Sequence, residues 1–492
     1  MRISYIDLLI IVAYLAGVTL FGARFRRGQQ TVRDYFLGGR TAPWWALACS
    51  IVATETSTLT IIGTPAIAFA GNLGFLQLVL GYVVARVILC VVLVPQYFQG
   101  EFYTAYQLLE KRFGSRMKRA ASVVFLATRA LAEGVRISAV GKVFSVAFGF
   151  GDRASIAAIT AITLFYTFEG GMRAVIWTDV MQFALYILGS IAAFFVLLHK
   201  IPGGWTTITQ TAAAAGGKFG MFDFAFSLTQ SYTFWSGLIG GTFLTMASHG
   251  VDQTIVQRLL AARSERESKI ALISSGLIVF VQFSLFLVIG VMLFVFAQHY
   301  ALAVPEGDPD RIFPAFIVHE MPVGVVGIVL ASIFAVAMSN ASGSLNSLAS
   351  STVMDFVSPS KHAAILSEAK DMSLPSTVAA PTAHAAATLR RSRFITLAWG
   401  VVLGFLGLVR WGGVLVAGLT IASITYGGLL GVFLLGTWNK RANQTGALVG
   451  FALGIATMIA VNRFTALAFT WYVLAGTIVT FGVGSVVSVY AD

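Results

Sequence analysis

The chain has 492 residues, 57% of them apolar and 11% charged. A soluble domain carries roughly 25% charged residues, and the mean hydropathy here is +0.83, so a water-soluble globular class is excluded. The net charge of +12 would suit nucleic acid, but its placement along the chain points to membrane topology and leaves no nucleic-acid partner expected.

A helix that crosses a bilayer needs about 20 apolar residues, and about thirteen such runs recur from end to end. Lipid cannot satisfy the backbone of open strands, so the predicted fold is an all-α polytopic membrane bundle. The first span, about 5–23, lacks a basic segment ahead of it and reads as a retained helix, not a signal peptide. The second, about 43–70, carries Thr54-Glu55-Thr56-Ser57-Thr58 at its middle, with Pro65 further on. Hydroxyls compete with the helical backbone for hydrogen bonds. Such a run predicts a discontinuous helix whose freed carbonyls bind a cation at mid-depth; the alternative is a polar helix–helix contact.

The third span, about 73–98, holds Arg86 and is followed by a basic amphipathic stretch, EFYTAYQLLEKRFGSRMKR. Cys49 and Cys90 lie in apolar spans and read as reduced packing residues. In the fourth span, about 119–146, Arg129, Glu133 and Arg136 share one helix face. Arg129 and Glu133 read as a self-neutralising pair. Arg136 is then left for a substrate carboxylate or for a partner such as Asp179 or Glu55. Lys142 is expected to snorkel. The fifth span is about 154–168 and the sixth about 173–198, the sixth entered through a Gly170-Gly171 turn and carrying Trp177 and Asp179. A charge at mid-bilayer costs at least about 2.5–3.5 kcal/mol, so Asp179 is read as a cation ligand, a proton relay or half of a salt bridge.

An outer loop, about 199–230, precedes the seventh span, about 231–256, where His249 reads as structural. A basic loop follows, then the eighth span, about 270–298, and an acidic EGDPD segment. The ninth span, about 322–356, gathers Ser339, Asn340, Ser342, Ser344, Asn346 and Ser347. Hard oxygens without thiols or imidazoles suit sodium-like ions; small residues also suit close helix packing. A loop at about 357–393, rich in Ala, Ser, Pro and Thr, is expected to be flexible. Four more spans fill about 394–490.

Counted from an outside N-terminus, Lys and Arg fall on cytoplasmic segments about three times as often as outside. The expected location is the cytoplasmic membrane, multi-pass, with the C-terminus inside. The same basic segments attract anionic lipid. The sequence contains no nucleotide-binding loop, no metal spacing among its six histidines and no nucleophile–base constellation. It reads as a transporter without a cofactor, not an enzyme, driven by an ion gradient or by a separate subunit.

Five stretches resemble the sodium:solute symporter family, whose members carry sugars, proline, sialic acid, monocarboxylates and vitamins. They are DYFLGGRTAPWW, TAYQLLEKRFG, YTFEGGMRAVIWTDVMQ, DQTIVQRLLAA and MSNASGSLNS. The resemblance implies a core of five plus five helices related as an inverted repeat, with flanking helices. It divides the chain into 1–42 (first flanking helix and linker), 43–198 (first repeat), 199–437 (second repeat, including the 357–393 loop) and 438–492 (two flanking helices).

It also implies a sodium site. The carbonyls of Ala53, Thr56 and Val336 and the side chains of Ser339 and Asn340 take the ligand positions. Asn340 stands where the family usually has Ser or Thr. Some members bind a second sodium through the residue matching Asp179, with hydroxyls at the positions of Ser339, Ser342 and 343. Gly343 removes one of those ligands here, so a single sodium is favoured. Asp179, Ser342 and Glu55 are left as a second ion or coupling site. The implied solute cavity takes Glu55, Ser57, Thr58, Thr60, Phe75, Gln77, Arg136, Thr425 and Tyr426. The SxxTxxGTPA run from Ser57 is similar to the monocarboxylate and vitamin branch, and residues characteristic of sugar binding are replaced by Glu55, Leu59 and Thr60. The expected function is sodium-coupled import of a small, carboxylate-bearing solute by alternating access. A proton-coupled symporter on the same scaffold and a non-transporting sensor are the alternatives; nothing resembles a selectivity filter.

Overall fold

A computed structural model describes residues 3–24, 37–99, 102, 105–166, 172–300, 308–352, 356 and 383–490. Among these the regular elements are all helical, and an isolated parallel bridge joins Ala42 to Ala262. The helices are α1 (Tyr5–Arg24), α2 (Trp44–Glu55), α3 (Thr58–Ala70), α4 (Leu76–Val92), α5 (Val94–Phe98), α6 (Tyr106–Phe113), α7 (Ser115–Phe148), α8 (Asp152–Tyr166) and α9 (Met172–Lys200). There follow α10 (Gly204–Ala214), α11 (Phe234–Gly250), α12 (Gln253–Leu260), α13 (Glu265–His299), α14 (Ile312–Glu320) and α15 (Val325–Thr352). The last four are α16 (Ala383–Gly407), α17 (Val414–Trp438), α18 (Gln444–Phe464) and α19 (Tyr472–Tyr490).

Six of the described helices are long and apolar enough to cross a membrane, or seven when the bent α2–α3 pair counts as one span. The expected thirteen are not reached on this criterion. The apolar parts of α1, α15 and α16 are short, and the long α7 carries Arg129, Glu133, Arg136 and Lys142 along its length. The Gly170-Gly171 turn and most of the 357–393 loop lie outside the described residues, as does most of the linker between α1 and α2.

The second expected span is broken. Its halves α2 and α3 meet at 66° because Thr56 and Ser57 are both extended. The Ser57 amide donates to Thr60 Oγ1 at 3.4 Å, which leaves the Ala53 carbonyl without its helical donor. Pro65 lies inside α3 and does not end it. The backbone of α13 closes on it there, so a Cβ added at Gly290 would stand 2.2 Å from the Pro65 oxygen. At the far end of α3, Lys218 Nζ donates to the Phe69 and Gly71 carbonyls at 2.8 and 2.9 Å, a cation at a helix C-terminus.

The seventh expected span is also broken, at Val251–Asp252, and the Asp252 carboxylate starts α12 by accepting from the Thr254 amide at 2.8 Å. The expected outer loop contains α10. Lys142 does not snorkel freely; it bonds Asp308 and Asp310 at 2.8 and 3.0 Å. Finally, Asp7 in α1 is buried and accepts from the Gly324 and Gly327 amides at 2.7 and 2.8 Å, which fastens the first helix to the start of α15.

Candidate solute and ion site

A cavity of about 160 Å³ lies where the α2–α3 break faces α4, α7, the α11–α12 break, α13 and α17. Of the residues expected to hold solute, Glu55, Ser57, Thr60, Phe75, Arg136 and Tyr426 line it. Three others do not. Thr58 turns toward a neighbouring recess of about 10 Å³. Gln77 is buried and fully used: its amide nitrogen donates to Gly74 and Tyr232 carbonyls, and its oxygen accepts from the Asp223 amide. Thr425 Oγ1 accepts from Thr128 Oγ1 at 2.8 Å and so ties α17 to α7.

Buried charges organise the walls. Arg86 has no exposed surface. Its guanidinium donates to Glu55 Oε2 at 2.5 Å, the Ser275 hydroxyl at 3.1 Å and the Tyr82 carbonyl at 3.0 Å. It also meets His249 Nε2 at 3.0 Å. The same ring nitrogen lies 3.4 Å from Glu55 Oε2, and Nδ1 is 2.8 Å from Ser248 Oγ. Glu55 at the helix break is therefore neutralised from α4 and framed by α11.

On α7 the expected pairing is corrected. Glu133 takes Arg136, at 3.1 Å, and the Ser344 hydroxyl, at 2.7 Å. Arg129 donates from Nε to Ser344 Oγ at 2.9 Å and has no carboxylate partner among the described residues. The spacing alone allowed either pair; Ser344 on α15 occupies the place between Arg129 and the carboxylate. Arg129, not Arg136, is thus the uncompensated cation facing the cavity. Opposite, Tyr426 donates to Asp252 Oδ2 at 2.9 Å, which joins α17 to the α11–α12 break.

The expected sodium ligands lie on the two elements beside this cavity. Ala53 and Thr56 flank the end of α2. Thr56 is held in place by Gln282, whose amide donates to Thr56 Oγ1 at 2.7 Å while its oxygen accepts from Tyr186 at 3.0 Å. Val336 is buried in α15. Asn340 borders the small recess with Ser57 and Thr58, and its Nδ2 is buried without a hydrogen-bond partner among the described residues. Ser339 and Ser342 lie on α15, but their side chains fall outside the described ones. Asp179, expected as an ion or coupling residue, accepts at Oδ2 from Arg258 at 2.9 Å and from Ser50 at 2.6 Å. No cluster of three His, Cys, Asp or Glu side chains occurs among the described residues; carbonyl and hydroxyl oxygens are the available cation ligands.

Sequence reading did not assign Asp252, Arg258, Tyr82 or Phe283 to this region. Asp252 carried a usable signal, since Gly250 followed by an Asp two residues later is a helix stop and a new N-cap. Arg258 had none within its own helix, because its partner lies on α9.

A broken helix set against a cavity with buried, paired charges at membrane depth defines the class of membrane transporters. The pattern of the sodium:solute symporter family matches residues 35–454, and the chain belongs to that family. It is 30% identical to the sodium/sialic acid symporter SiaT of Proteus mirabilis over 96% of this chain and 95% of that one. It is 29% identical to the human sodium-coupled monocarboxylate transporter 1 over 90% of this chain and 70% of the other. The solved substrate-bound, outward-open state of a Na⁺-coupled sialic acid symporter superposes with a TM-score of 0.83 at 28% identity, covering 99% of this chain and 98% of that one.

Proposed function

We propose that the protein is a sodium-coupled symporter that imports a small organic solute bearing a carboxylate. The observation that carries the solute class is Arg129, a guanidinium on the cavity wall without a carboxylate partner among the described residues, beside an Arg136 that Glu133 already neutralises. A carboxylate is the group that a free guanidinium matches bidentately. The similar proteins SiaT and monocarboxylate transporter 1 are named for solutes of that chemistry. The ion reading rests on the break at Thr56 and Ser57, which leaves the Ala53 carbonyl without its helical donor, with Ala53, Thr56, Val336, Ser339 and Asn340 as the sodium ligands. Residues 43–198 and 199–437 form the two repeats that rock about this site, with the N-terminus outside and the C-terminus in the cytoplasm.

The test is uptake into proteoliposomes under an imposed Na⁺ gradient. The substrates are radiolabelled pyruvate, lactate and sialic acid, with glucose as the uncharged control. Uptake of one carboxylate, abolished when choline replaces Na⁺, is expected. Accumulation driven by a proton gradient in the absence of Na⁺ would move the assignment to a proton symporter, and uptake confined to the uncharged sugar would overturn the solute class.

A further inference from the structure

A second recess, of about 280 Å³, opens at the arginine-rich end of the bundle, apart from the transport cavity. Two of the stretches that carry the family resemblance line it, LGGRTAPWW ahead of and into α2 and RAVIWTDVMQ at the start of α9, and Arg263 follows directly on a third, DQTIVQRLLAA. The residues meeting here are not those that line the transport cavity. They are Thr41, Ala42 and Pro43 on one wall, Arg173 and Trp177 on another, and Arg263 across from them.

The recess is built, not incidental. The Ala42–Ala262 bridge ties the wall that holds Ala42 to the residue before Arg263, and Arg263 Nε donates to the Thr41 carbonyl at 3.0 Å, which anchors that guanidinium by one edge. Gly38, at φ +56°, lets the turn press against α9, so that a Cβ there would stand 3.4 Å from the Arg173 nitrogen. Neither Arg173 nor Arg263 has a carboxylate partner among the described residues. Two uncompensated guanidiniums facing one recess call for an oxyanion, and the planar fork suits a phosphate.

The aromatic residues set the depth. Trp177 meets Trp45 edge to face at 5.5 Å, and Trp44 and Trp45 are 41% and 44% exposed. Tryptophans so placed mark the headgroup level of a bilayer. This end of the chain is the one that the distribution of basic residues assigns to the cytoplasm, where the leaflet is anionic. We propose that the recess binds the headgroup phosphate of an anionic phospholipid, with Arg173 and Arg263 holding the phosphate and the Trp45–Trp177 pair flanking it at the membrane surface. A soluble phosphate shares the oxyanion chemistry but gains nothing from that aromatic border.

The full chain is purified in neutral detergent at constant Na⁺, and its melting temperature is measured with dioleoylphosphatidylglycerol, dioleoylphosphatidylcholine or inorganic phosphate. Phosphatidylglycerol should raise the melting temperature more than phosphatidylcholine, whose identical phosphate is offset by its own choline cation, and inorganic phosphate should not raise it. The double variant Arg173→Gln/Arg263→Gln should lose that increment while melting like the unmodified protein in phosphatidylcholine, since both side chains are exposed. Native mass spectrometry gives an independent readout: phosphatidylglycerol adducts should fall several-fold in the variant. An undiminished increment and adduct count in the variant would overturn the proposal, and an equal increment from inorganic phosphate would reassign the recess to a soluble anion.

Discussion

Arg258 Nη2 and Asp179 Oδ2 lie 2.9 Å apart, and Ser50 bonds both residues, at 2.9 Å from Arg258 Nε and 2.6 Å from Asp179. The triad joins α2, α9 and α12, three elements far apart in sequence, and both charges are almost fully buried. Removing one partner strands the other. Arg258→Ala should cost about 3–5 kcal/mol, read as a large fall in the melting temperature of the purified protein. Asp179→Asn/Arg258→Gln, which removes both charges, should fall by less than the sum of its single variants. A near-wild-type melting temperature for Arg258→Ala would show that the pair does not hold these elements together.

Sodium should stabilise the protein without any solute. A site with a millimolar dissociation constant gains about 2.7 kcal/mol in salt at 100 times that constant. Melting in NaCl should therefore exceed melting in KCl or choline chloride of equal strength. Ser339→Ala should abolish the difference. Asp179→Asn should retain it, because Asp179 is engaged by Arg258 and Ser50 and is not needed for the single sodium. Identical melting in all three salts would remove the sodium site.

The two cavity arginines should part company on mutation. Arg129→Gln removes the uncompensated guanidinium and should raise the KM for the carboxylate solute about 10- to 100-fold, the worth of a charge-assisted hydrogen bond, while melting changes little. Arg136→Gln strips Glu133 of its counter-ion and should lower the melting temperature. The opposite pattern, KM tracking Arg136, would assign the solute contact to Arg136.

Gly290→Ala tests the close approach at the broken helix. Its new Cβ would stand 2.2 Å from the Pro65 carbonyl oxygen, a backbone atom with no freedom to swing away. Overpacking of this kind costs about 1–3 kcal/mol or more. Gly17→Ala meets nothing within 4 Å and should leave melting within about 0.5 kcal/mol. Equal melting of the two variants would mean that α3 and α13 can separate at no cost.

The break at Thr56–Ser57 was legible because five adjacent polar residues inside an apolar run have a local consequence: hydroxyls replace helical acceptors, as Thr60 Oγ1 does for the Ser57 amide. Charge pairing was not legible in the same way. Helix spacing placed Arg129, Glu133 and Arg136 on one face, but the choice between them was made by Ser344 from another helix. The partners of Glu55 and Asp179 are Arg86 and Arg258, which stand on α4 and α12. Gln77 shows the same limit from the other side. Its amide would serve a ligand as readily as a loop, and only the folded position of Tyr232 and Asp223 decides that it holds the loop.

The carboxylate of Asp7 has a consequence for how the chain is made. Its amide donors, Gly324 and Gly327, lie more than three hundred residues downstream. At about 5–20 residues per second of synthesis, roughly 15–60 s pass before those donors leave the ribosome. Through that interval the first helix must reside in or beside the translocon with a charge that only Ser4, three residues away, can serve. Docking of α1 is thus a late event in biogenesis, and it reports that α15, the helix bearing Val336, Ser339 and Asn340, has entered the membrane in its proper register.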